Sequence, residues 1–218
     1  MLRIGLTGGL GSGKTTVAGF LREKGFPVLE ADAIARAMMQ PGQDVFRRIV
    51  DVFGSSVVRP DGSLDRARLA SLAFDHSRLA ELNRIVHPPV VEEQERQMSD
   101  IFARDPRAIV VVESALIFEA DAWGTVPDWN RRFDRILLVT APEPVRIQRF
   151  LARILPPGAT PEERAAAEHS TRSRIAAQLP DSAKVPHADF IVDNSGSLES
   201  TRLQVEKVIA RIRTIPGS

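Results

Sequence analysis

Gly8, Gly9, Gly11, Gly13, Lys14 and Thr15 fit the pattern G-x-x-x-x-G-K-[ST] from Gly8 to Thr15, directly after the apolar run Leu2–Thr7. A polyphosphate carries several negative charges and needs many short hydrogen bonds from donors that approach closely. Glycines let the backbone curl into a nest of N–H groups, and the helix that follows adds its positive dipole end. In such a loop Lys14 reaches the β- and γ-phosphates and the Thr15 hydroxyl ligates Mg²⁺. Gly9, Gly11, Ser12, Gly13, Lys14, Thr15 and Thr16 are therefore expected to hold the phosphates of ATP. The bland alternative is a glycine-rich turn before a helix, and the strand–loop–helix context argues against it.

Phosphoryl transfer also requires an acceptor geometry and a group that takes the acceptor's proton. Ligands of open α/β sheets bind at the carboxyl ends of strands, so acids at strand ends are the candidates. Asp32 lies just past the second apolar run and reads either as a catalytic base or as a plain helix N-cap. Glu113 ends the run Ala108–Val112, where it would hold Mg²⁺ through water or simply face solvent. Glu119 is a weaker candidate for acceptor contact. Arg146, Arg149 and Arg153 share one helix face and read as a clamp on the phosphoryl group or as a solvated face. Asn194, after the last strand, reads as an adenine contact or a turn. The histidines at 76, 87, 169 and 187 show no ligand spacing, which argues against a metal cluster.

The elements that must position these groups are five β-rich runs, Leu2–Thr7, Phe26–Glu30, Ala108–Glu113, Arg135–Thr140 and Asp189–Val192, separated by helical patterns. This alternation predicts an α/β fold with a parallel five-stranded sheet flanked by helices. Residues 1–31, 108–150 and 185–218 are expected to form the nucleotide-binding core. The stretch 32–107 is too long for one crossover, and its helical patterns at Asp44–Phe53, Asp65–Phe74, Arg78–Val86 and Val90–Ala103 read as an inserted acceptor lobe. Residues 151–184, punctuated by Pro and Gly, read as a lid. The 218 residues carry 29 basic and 28 acidic side chains, a balance that argues against a nucleic-acid partner. No apolar run approaches a membrane span, there is no cysteine, and Met1 leads into a strand pattern instead of a secretory leader. A cytoplasmic location is expected. A GTPase is excluded because no N-K-x-D precedes Ser182-Ala183-Lys184 and no D-x-x-G follows the third run.

Taken together, these residues resemble the dephospho-coenzyme A kinase family nearly end to end. Glu30-Ala31-Asp32 with Ile34-Ala35-Arg36 is similar to the family's Asp-Ala-Asp-x-x-Ile/Val-Ala-Arg segment, with Glu30 in place of its first Asp. Leu82-Asn83 and His87-Pro88 match its acceptor lobe, Arg149, Arg174, Gln178 and Lys184 match positions in and around its lid, and Ala188–Gly196 matches its ending. Glu113-Ser114-Ala115-Leu116-Ile117-Phe118-Glu119 departs from it: the family has Asp, then Pro-Leu-Leu-Phe-Glu. The resemblance implies a P-loop kinase fold and transfer of the ATP γ-phosphoryl to the ribose 3′-hydroxyl of dephospho-CoA. It implies that Asp32 sits near that hydroxyl, that Arg149 clamps phosphate, and that Arg36, His87 and Phe118 help bind the acceptor. A monomer is expected, with an oligomer left open. The alternatives are another small-molecule kinase of this architecture, a nucleotide-gated binding module, and a nucleic-acid-dependent NTPase.

Overall fold

The computed structural model describes residues 1–75 and 78–215, so His76 lies outside the described residues. Strand β1 (Leu2–Thr7) is buried along almost its whole length and pairs on both edges, which makes it central. Helix α1 (Lys14–Glu23) follows, then β2 (Val28–Glu30), and then the helical insert of α2 (Ala31–Met38), α3 (Asp44–Phe53), α4 (Arg66–Asp75) and α5 (Leu79–Arg104). Strand β3 (Ile109–Glu113) returns the chain to the sheet, followed by α6 (Ile117–Ala122) and α7 (Trp129–Arg132). Strand β4 (Arg135–Thr140) leads to α8 (Glu143–Ile154), α9 (Pro161–Ala176) and α10 (Asp181–Lys184), and β5 (Phe190–Asp193) and α11 (Leu198–Ile212) complete the fold. All five strands are parallel, in the order β2-β3-β1-β4-β5. The chain therefore leaves β1 in opposite directions on its two sides, and the crevice at that switch point opens where the glycine-rich loop sits.

One face of the sheet is covered by α1 and α11, whose Val17, Leu21, Val205 and Ile209 pack on Ile4, Leu6 and Val139. On the other face, Met98, Ile117, Phe118 and Phe133 cover Val110, Val112 and Ile136. The helical insert has a separate core of Val45, Ile49, Phe53, Leu69 and Ile85. One expectation needs correction here. The sequence places a break at Pro88-Pro89, yet α5 runs unbroken through both prolines. Two successive prolines remove two main-chain donors, but Ile85 and Val90 on either side are buried, and this packing outweighs the lost bonds. Helix α9 opens where the Pro-rich stretch ends, with a capping box in which Thr160 Oγ1 accepts from Glu163 N (3.2 Å) and Glu163 Oε2 accepts from Thr160 N (2.8 Å).

A fully buried ion pair closes this half of the molecule. Lys184 Nζ lies 2.6 Å from Glu119 Oε1, with side-chain exposures of 0% and 1%. The same oxygen accepts the Leu179 main-chain N–H at 3.1 Å, so the chain beyond α9 is fastened to α6. Removing one member leaves an uncompensated buried charge, whereas removing both does not. Lys184→Met is expected to lower stability by about 3–5 kcal/mol in urea denaturation, with the Glu119→Leu/Lys184→Met pair recovering part of that loss. Equal stability of Lys184→Met and the parent chain would contradict this account.

Candidate active site

The glycine-rich loop is shaped by contacts that leave no room for side chains. Gly13 has φ 93°, in the left-handed region, and a Cβ there would collide with Asn194 Nδ2. A Cβ on Gly9 would occupy the space of the Arg146 guanidinium. Among the described residues, the main-chain N–H groups of Gly11, Gly13, Lys14 and Thr15 have no hydrogen-bond partner, and Gly13 caps α1 without a side-chain bond. These donors converge at a helix N-terminus, an arrangement suited to anionic phosphate oxygens.

Three side chains brace the loop from behind. Asn194 donates Nδ2–H to Ser12 O (2.8 Å) and accepts from Thr201 Oγ1 (2.7 Å). Arg146 is 7% exposed and donates Nε–H to Leu10 O (2.9 Å), with Nη1 3.9 Å from Asp181 Oδ1. Gln178 Oε1 accepts the Leu10 N–H (2.8 Å), so both main-chain groups of Leu10 are tied. The expectation that Asn194 contacts adenine is thus not what the structure displays: its side chain is buried and committed to the loop. Arg146, read from the sequence as either a phosphoryl clamp or part of a solvated face, is instead buried behind the loop. Its position three before Arg149 on α8 is the only signal, and that spacing does not reveal which member turns inward.

In front of the loop, Lys14 Nζ donates to Gly8 O (2.8 Å) and Gly9 O (3.2 Å). Burial lowers its pKa to about 8, opposed by the charges of Glu113 and Asp32. Glu113 stands beside Glu30 in the β2–β3 register. Burial pushes its carboxyl up, with Lys14 pulling it back and Asp32 and Glu30 adding to the rise. Arg22 forms an ion pair with Glu30. Asp32 occupies the first turn of α2, but Glu30 is the N-cap residue, and no side-chain bond caps the helix. The plain-cap alternative for Asp32 therefore fails, and its exposed carboxylate is uncommitted. Arg149 Nη1 donates to Asn194 O (2.8 Å) and stands 3.9 Å from where a Gly13 Cβ would be, at the edge of the loop.

A cavity of about 330 Å³ opens beside Asp32, between the strand ends, α5 and the end of α9. Asp32, Asn83, His87, Trp123, Arg132 and Arg174 supply its polar and aromatic wall, and the rest is mostly aliphatic. His87 Nδ1 is 3.0 Å from Thr125 Oγ1 and its ring is near-parallel to Trp123. The Thr125 hydroxyl proton goes to Ala120 O (3.1 Å), so His87 Nδ1 is the donor and Nε2 is left as an acceptor. Burial lowers the His87 pKa to about 4, which keeps the ring neutral near pH 7. Two expected acceptor residues are not at this wall. Phe118 is 5% exposed and packs edge-on against Trp129 in the core beneath the cavity, which Leu116 and Ile117 at the start of α6 line instead. Arg36 is exposed in the last turn of α2 and lies off the wall, which α2 lines with Ala31, Asp32 and Ala35.

A family model described as dephospho-CoA kinase matches residues 2–200. The chain is 38% identical over 215 residues to a Corynebacterium efficiens dephospho-CoA kinase, covering 98% of each chain. It is 43% identical over 204 residues to that of Symbiobacterium thermophilum, covering 93% of this chain and 78% of the relative. The chain belongs to the dephospho-CoA kinase family. That family catalyses the final, ATP-dependent step of coenzyme A biosynthesis. A crystal structure from Thermus thermophilus, 33% identical, superposes with a TM-score of 0.71 over 97% of both chains. The P-loop kinase fold and kinase chemistry expected from the sequence are thereby borne out.

The Lys14 environment carries a pH signature for a dephospho-CoA kinase. Phosphate binding favours the charged ammonium, so above pH 8 the free protein must take up a proton to bind ATP. ATP affinity is expected to fall as pH rises past about 8, by up to about tenfold per pH unit. Titration calorimetry from pH 7 to 9.5 reads this directly. The step should vanish in Lys14→Met, and a flat profile in the parent chain would contradict it.

Proposed function

We propose that this chain transfers the γ-phosphoryl of ATP to the ribose 3′-hydroxyl of dephospho-CoA, with Asp32 as the base that orients the hydroxyl and accepts its proton. The observation that carries this is the position of Asp32. Asp32 lines the cavity, and its charge acts on Lys14 at the phosphate loop. A proton acceptor is needed at that junction of two substrates. In this reading residues 32–107 are the acceptor lobe and 151–184 the lid, with 1–31, 108–150 and 185–218 as the nucleotide core. His87 and Asn83 face the acceptor, and the loop amides, Lys14 and Arg149 face the transferring phosphoryl and its neighbours.

Mg²⁺ fits this donor set. Among the described residues no group of three or more His, Cys, Asp or Glu could cage a metal alone. Mg²⁺ characteristically takes one or two protein oxygens and completes its shell with phosphates and water. The exposed Thr15 hydroxyl and the Glu113 carboxylate would hold it, and the ion would neutralise charge on the phosphates. Arg149 on α8 clamps the phosphoryl as the segment around α9 closes, which excludes the water that would otherwise hydrolyse ATP. The reaction takes place in the cytoplasm on a monomer, without nucleic acid or membrane. No described helix is long and apolar enough to cross a membrane.

A coupled ADP-release assay is the test. ADP is expected to appear with dephospho-CoA and not with shikimate, AMP or CMP at comparable rates. Asp32→Asn is expected to lower kcat by at least about 10²-fold with little change in ATP affinity. Near-parent turnover in that variant would remove Asp32 from the mechanism.

A further inference from the structure

Most arginines around the site are spoken for. Arg146 serves the loop and Asp181, Arg132 donates to Gln94 Oε1 (2.9 Å), and Arg172 pairs with Glu143 and Glu168. Arg153, at the end of α8, and Arg174, near the end of α9, differ. Among the described residues neither makes a hydrogen bond or an ion pair. Both guanidiniums instead sit over one buried ring, that of Phe150, at 4.8 and 5.0 Å from its centroid. A phenyl face attracts a cation but does not neutralise it. Two like charges are thus gathered at one ring with no carboxylate paired to either, an arrangement that favours an anion.

The neighbourhood says which anion. Arg174 lines the cavity that Asp32 lines, on the acceptor side of the phosphate loop. Burial and the Arg153 charge hold the Arg174 guanidinium below its ordinary pKa, and the carboxylate that counteracts them is Asp32. The phosphates of ATP have the loop amides, Lys14 and Arg149. The acceptor has its own anion, a diphosphate carrying about two negative charges, attached to the 5′ carbon of the ribose whose 3′-hydroxyl must meet Asp32. We propose that Arg153 and Arg174, seated together on Phe150, are the binding site for the diphosphate bridge of the acceptor. This rests on the reading of dephospho-CoA as acceptor given above. The pair is specificity-determining: it selects ribose acceptors that carry a 5′-diphosphate over uncharged nucleosides. It also ties acceptor binding to the approach of α9 toward α8, because the two cations come from different helices and share one ligand.

The test compares two acceptors that differ in this anion, dephospho-CoA and adenosine, at saturating MgATP. In Arg153→Ala/Arg174→Ala, kcat/KM for dephospho-CoA is expected to fall about 10²-fold, carried by KM, against a loss of no more than about threefold for adenosine. The Arg153→Lys/Arg174→Lys pair should recover part of the loss. ATP affinity and the thermal midpoint of each variant report whether the fold and the phosphate loop are intact. Equal losses on both acceptors would overturn the proposal by assigning the pair to the transferring phosphoryl, and an unchanged kcat/KM for dephospho-CoA would overturn it outright. A parent chain that phosphorylates adenosine but not dephospho-CoA would instead sink the acceptor reading on which it rests.

Discussion

The phosphate loop is only as good as what holds it still, and this is done by side chains from far along the chain. Leu10 is bonded through both main-chain groups, to Gln178 and Arg146, and Ser12 O is bonded to Asn194. A nest of N–H groups stabilises phosphate because it is organised before the phosphate arrives and does not reorganise during transfer. Glycines make such a loop sterically accessible but also entropically costly to order. The three braces offset that cost, and they leave the forward-facing amides free. They also explain why the loop rejects side chains at Gly9 and Gly13, where the bracing atoms lie within contact.

The electrostatics in front of the loop follow from the same packing. Lys14, Asp32 and Glu113 are brought together at the ends of β1, β2 and β3, with Glu30 alongside. Each acid would repel the others, and the buried ammonium would resist its own charge. The cluster persists because the opposing signs are interleaved: Lys14 lowers Glu113 while Asp32 and Glu113 raise Lys14. A polyphosphate joins this balance by adding charge on the Lys14 side. The kinase chemistry of the family therefore sits at a point where proton affinities are already displaced toward neutrality.

The helical insert and the α9–α10 segment close the site from opposite sides. Helix α5 carries Asn83, His87 and Gln94 along one wall, and its passage through Pro88 and Pro89 keeps them in a single register. Gln178 lines the cavity and bonds the loop tip, so one side chain meets both. The buried Glu119–Lys184 pair anchors the chain just beyond that residue. The α9–α10 segment is thereby joined to the loop and to α6 through a short, fixed tether.

The local patterns in the chain were enough to specify the strand–loop–helix of the phosphate site, the limits of β1, β4 and α3, the parallel sheet and the family. Those features depend on residues near in sequence: glycines at set intervals, β-branched runs, and a lysine one step inside a helix. That Asp32 and Arg149 lie beside the loop was also legible, because each stands at the start or on the face of an element next to it. Which members of the set face the site was not. Arg146 turned inward to the loop, Phe118 and Arg36 turned away from the cavity, and Asn194 was consumed in bracing. Pro88 and Pro89 were read as a break because their cost is local, while the burial that overcomes it comes from α2 and α3. The sequence by itself determined what chemistry the chain can perform, since residue type and short spacing set that. Only the tertiary structure decided which side chains face the loop and the cavity, because burial and partners contributed from more than a hundred residues away leave no periodic trace.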